Sequence, residues 1–226
     1  MNSIAPPAPL VRLTGALYLL IIALPVLSLA TIDPLIREGA TAIATLETLR
    51  AHATALRASI VLDTIMYSAV FALAVAQFRI AGPHTPGVAV LGLVARSVEA
   101  TLGLVTVTLA ICVSVLVRSN VPFDDGTIAA LVTTLVRWRA ATMDVVLVAL
   151  GLGALAFVPG FLRANVAPRK LVLFGAGCYA LIALAAFATM LAPSMRDKLV
   201  VVFVPGTLFE FAIGAWLLRA APSAPR

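Results

Sequence analysis

Six apolar stretches follow one another along the chain, each about as long as a helix needs to cross the hydrocarbon of a bilayer. They cover residues 12–30, 58–80, 88–117, 140–162, 171–192 and 199–218. The polar interruptions between them are abrupt. Gly82, Pro83, Pro86 and Gly87 surround His84 in a turn where a helix cannot continue, which leaves His84 solvated. Asn120 to Gly126 breaks the next pattern, and its Asp124 and Asp125 suit the cap of a following helix. A short basic turn occupies 163–170 and a second turn 193–198. The expectation is an all-α polytopic membrane bundle with six transmembrane helices: one domain over 12–219, a disordered proline-rich lead at 1–11 and a tail at 220–226.

Individual stretches add detail. The third, at about 1.5 Å per residue, is about 45 Å long and must tilt or protrude. The first resembles a signal peptide, with Arg12 ahead of it and Ser28 and Ala30 at a cleavage-like spacing. Its apolar run is longer than such segments use, so it is read as a retained span, with Pro25 a point of kinking. Residues 31–57 carry Asp33, Arg37, Glu38, Glu47, Arg50 and Arg57, as suits a partly helical loop on the membrane surface. The helix capped by Asp124 and Asp125 begins amphipathically through Arg137, Trp138 and Arg139 before it enters the fourth span, with Trp138 at the interface.

Composition agrees with a membrane protein. Of 226 residues 62% are hydrophobic and only 12% charged, against about a quarter charged in soluble domains. The net charge of +6 sits in single residues at span ends rather than in a patch with aromatics, so the partner it implies is the lipid bilayer and not nucleic acid. One side collects Arg12, Arg79, Arg163, Arg169, Lys170, Arg219 and Arg226 with no acid, whereas the other mixes bases with acids. That asymmetry places both termini in the cytoplasm of a cell with this protein in its inner (plasma) membrane. Cys112 and Cys178 both lie in apolar runs and are read as small core residues. No spacing suits a metal, and no cofactor is implied. Gly151, Gly153 and Ala156 superficially match a dinucleotide fingerprint, but inside an apolar span they are better read as permitting close helix packing.

Five charges remain inside the spans: Asp63, Arg96, Glu99, Asp144 and Glu210. Ionisable groups in the hydrocarbon are functional candidates. Counting helix rise from the span ends puts Glu99 and Glu210 roughly 12–17 Å from the terminal side, with Arg96 a turn away, so that two carboxylates compete for one guanidinium. Asp63 and Asp144 fall within about 10 Å of the opposite face, near Arg57 and Arg137 of their own helices, as a shallower layer. Arg96, Glu99 and Glu210 are the candidate catalytic groups, and Asp63, Tyr67, Asp144, Tyr179 and Trp216 the candidate ligand-binding ones.

Order and spacing of short motifs carry a resemblance. Arg12, Gly15 and Tyr18 in the first span, Asp63 in the second, Arg96 with Glu99 in the third, Pro168 to Lys170 with Gly175, and Phe209 and Glu210 with Trp216 together resemble the bacterial integral membrane proteins grouped as domain of unknown function 4386. The region from Arg137 to Asp144 departs from that pattern. The resemblance implies six spans, an uncleaved first span and no particular activity. Three classes of function stay open: a buried Arg/Glu site for a small or lipophilic ligand; an enzyme using a protonated carboxyl as a terpene cyclase does, on a polyprenyl substrate with Tyr67, Tyr179 or Trp216 stabilising cationic charge; and a proton-coupled transporter or structural membrane protein.

Overall fold

The computed structural model describes residues 6–118 and 123–219, apart from the side chain of Asp197. No strand occurs among them. The helices are α1 (Ala8–Thr31), α2 (Ala42–Ala51), α3 (Ala53–Ala81), α4 (Pro86–Arg118), α5 (Asp125–Ala164), α6 (Arg169–Leu191), the single turn α7 (Arg196–Leu199) and α8 (Phe203–Arg219). Six are long and apolar enough to cross a membrane: α1, α3, α4, α5, α6 and α8, the last extended at its start by the 3-10 turn at Val200.

Local chemistry sets the boundaries. Thr41 caps α2 by accepting from the Ala44 N–H at 3.1 Å, and Asp124 caps α5 by accepting from the Thr127 N–H at 3.0 Å. α5 ends at Asn165, which takes the left-handed conformation (φ 51°) common after a last helical turn. One expectation is corrected. α1 already starts at Ala8, within the supposed lead, because Pro9 lies in the first turn, where a missing N–H costs nothing. As expected, α5 carries its amphipathic entry and its span as one element, running 40 residues or about 60 Å at helical rise. Hydropathy marks where a helix is in oil, not where it ends. The residues of the 1–11 lead before Pro6, of the 220–226 tail, and Asn120 to Pro122 of the turn lie outside the described residues.

The spans form a ring in the order α1, α3, α4, α5, α6, α8 and back to α1, with α3 and α5 also in contact across it. Glycines bring the helices together. A Cβ at Gly15 would lie 2.7 Å from the Gly214 carbonyl oxygen, so α1 and α8 meet backbone to backbone. Gly151 abuts the Tyr179 carbonyl on α6 and Gly153 abuts Arg96 on α4, which bears out the packing role of that pair. Below the bundle core a second cluster joins Leu46 and Leu49 of α2 to Leu56, Val113, Val117, Ile128 and Val132. It is built from the start of α3, the end of α4 and the start of α5. Cys178 is buried as expected, whereas Cys112 is exposed on α4, which corrects its reading as a core residue.

Candidate functional site

The ring encloses polar side chains from all its neighbours. Arg96 of α4 is fully buried, and its stem passes Gly153 of α5, where any side chain would collide with it. Its Nη1 donates to Glu99 Oε2 at 2.6 Å, one turn along the same helix. Glu210 of α8 accepts at Oε1 from the Tyr179 hydroxyl of α6 at 2.9 Å. Gln77 of α3 donates to the Tyr18 hydroxyl of α1 at 2.6 Å. Glu99 and Glu210 line one cavity, with Arg96 beside Glu99. The shared depth of Glu99, Glu210 and Arg96 is therefore present, but the guanidinium bonds to Glu99 while Glu210 is held by a tyrosine. Arg96 Nε, Arg96 Nη2 and Gln77 Oε1 find no partner among the described residues.

The shallow layer departs from expectation. Asp63 pairs with Arg139 (2.6 Å), not Arg57, and Asp144 pairs with Arg196 (2.6 Å), not Arg137. Arg57 and Arg137 are exposed. Six residues turn a helix by about 600°, so Arg57 leaves the far side of α3 from Asp63, and Arg137 stands two turns, roughly 10 Å, from Asp144. Asp144 also accepts from the Thr189 hydroxyl at 3.2 Å, and Arg196 donates to the Ala140 carbonyl, so this pair ties the α6–α8 connection to α5. His84 is only partly exposed, and its carbonyl accepts from Arg163 at 2.9 Å.

Two cavities give these groups a context. An inner one of about 330 Å³ is lined by Asp63, Tyr67, Glu99, Arg139 and Glu210 set among apolar side chains such as Met66, Val146, Leu147 and Ile182. An outer one of about 600 Å³ lies under α2, lined by Asp33, Arg37, Glu38 and Thr45 among others. Pro25, Asp63 and Arg139 line both. The Asp63–Arg139 pair thus stands at their junction. Tyr67 is locked there: its hydroxyl meets Met143 Sδ at 3.7 Å, and its ring fills the space a side chain at Gly103 would need.

Of the sequence candidates, Asp63, Tyr67, Glu99 and Glu210 converge on the inner cavity, and Arg96 and Tyr179 brace its two glutamates. Asp144 does not line it. Trp216 is corrected as well: it is 48% exposed on the outer face of α8 and lines neither cavity. Sorting by charge passed over Tyr18 and Gln77, although both stand out as polar residues in apolar runs. Arg139, Thr189 and Arg196 were missed because their partners lie on other helices. Among the described residues no group of side chains could hold a metal.

A ring of six membrane-crossing helices around a buried Arg/Glu cluster defines a multipass integral membrane protein. The chain belongs to the family described as Domain of unknown function (DUF4386), whose model matches residues 13–220. No curated protein and no solved structure matches it.

Proposed function

We propose that this protein binds a small lipophilic molecule in the inner cavity, in the inner membrane of a bacterium and with both chain termini in the cytoplasm. The observation that carries the reading is the cavity itself, whose lining is mostly apolar yet receives Glu99 and Glu210 from two facing helices. Its volume of about 330 Å³ is at the low end of the roughly 300–1,000 Å³ typical of small-molecule sites. Passage right across the bundle has less support. The space bounded by Tyr18, Tyr179 and Phe209 is only about 20 Å³, room for about one water.

Native mass spectrometry of the full chain released from its own membranes tests the reading. A bound lipophile is expected on the parent protein and is lost from Thr207→Trp, which fills the cavity from α8. Equal adduct on both proteins, or none on a folded parent, rejects it.

A further inference from the structure

The deep cluster is unbalanced in charge. Asp63, Glu99 and Glu210 face the inner cavity, with only Arg139 opposite them in its lining and Arg96 behind. Three carboxylates against two guanidiniums leave one negative charge in excess. Hydrogen bonding is open on both sides of the cluster: behind the cavity wall Arg96 Nε and Nη2 lack acceptors among the described residues. Glu99 Oε2 is taken by Arg96 and Glu210 Oε1 by Tyr179, while the second oxygen of each carboxylate has no donor among the described residues. The Tyr67 hydroxyl is turned to Met143, and Thr207 donates back to the Phe203 carbonyl, so neither supplies what the carboxylates lack. A buried carboxylate in such surroundings is stabilised by a proton or by a cation that brings its own donors.

We infer that the ligand of the inner cavity is a lipophilic organic cation, a primary amine being the simplest case, with its ammonium between Glu99 and Glu210 and its apolar body against Met66 and Leu147. This rests on the ligand-binding reading above and adds the ligand's class. An ammonium supplies three donors to the free carboxylate oxygens of the cavity wall. An anion of the same shape meets the excess negative charge and is rejected. A neutral alcohol keeps the apolar contacts and loses the charge.

The test uses three rigid molecules that differ only at the head: 1-adamantylamine, 1-adamantanol and 1-adamantanecarboxylate. Each is titrated against the full chain in phosphatidylcholine nanodiscs, with empty discs as the blank so that partition into lipid is subtracted. The amine is expected to bind roughly tenfold more tightly than the alcohol, with the carboxylate weakest. In Glu210→Gln the ratio of amine to alcohol is expected to fall to about one. Equal affinity of amine and alcohol for the parent overturns the inference and leaves the lipophile reading standing. No binding of any of the three above the blank also overturns it, and the lipophile reading is then judged by the co-purification experiment alone. The parent comparison decides the matter even if Glu210→Gln does not fold.

Discussion

Arg139 Nη2 lies 2.6 Å from Asp63 Oδ2, joining α5 to α3 across 76 residues of chain at the point where the inner and outer cavities meet. Breaking this partly exposed pair is expected to open the junction. With Cys112 and Cys178 replaced by alanine, Val146→Cys places a thiol on the inner cavity wall. Adding Asp63→Asn is expected to speed its labelling by a water-borne thiol reagent roughly tenfold, the scale of one charged hydrogen bond after allowance for its exposure. Equal labelling rates mean that the pair is not the partition.

Arg96→Leu is expected to lower stability by about 3–5 kcal/mol, the usual cost of stranding a buried charge. Glu99→Gln is expected to cost less, because the amide that replaces the carboxyl still offers Arg96 Nη1 an acceptor. Arg96→Leu combined with Glu99→Gln should recover part of the loss. Melting curves in detergent decide the point: a double variant no better than Arg96→Leu shows that Glu99 is not the partner that matters.

Tyr67 and Gly103 act as one unit. An added Cβ at Gly103 would stand 2.1 Å from the tyrosine ring, so Gly103→Ala forces the ring aside at a cost of about 1–3 kcal/mol. Tyr67→Ala in the same protein removes the collision. Thermal unfolding of the two single variants and the double variant should therefore be strongly non-additive, and additive losses refute the contact.

Asp124, at the water-exposed start of α5, accepts from both the Thr127 hydroxyl (2.7 Å) and the Thr127 N–H, and these bonds hold its carboxyl below the usual aspartate range. A carboxyl depressed in the folded state contributes stability above its unfolded value, and the contribution is lost as pH falls through the folded one. Asp124→Ala should accordingly destabilise the protein at neutral pH and show a shallower loss of stability on acidification than the parent. Parallel acid limbs in the two melting series contradict the cap.

How much of this was legible beforehand differs by level. Burial in oil is a property of composition, so the six spans could be read directly from runs of apolar residues. Arg96 with Glu99 was legible too, because three residues on one helix fix their relation without any knowledge of neighbours. The partners of Asp63 and Asp144 depend on ring order and helix rotation, which no single segment encodes. Arg139 was assigned to a span entrance because an apolar run starts at Ala140, and the helix that carries it into contact with Asp63 ignores that boundary. Trp216 has the chemistry of a ligand contact, but only its place on the outer face of α8 shows that it meets the exterior instead.

The 40-residue α5 is about twice as long as a hydrocarbon slab is thick, and its surplus half is roofed by α2 through the second hydrophobic cluster. One chain therefore folds in two solvents. The ring is stabilised in lipid, where urea has little to attack, while the roof is a small water-facing core that urea can dissolve on its own. Because that roof covers the outer cavity, mild denaturant should act on this protein first as a key to its interior, well before it acts as an unfolding agent.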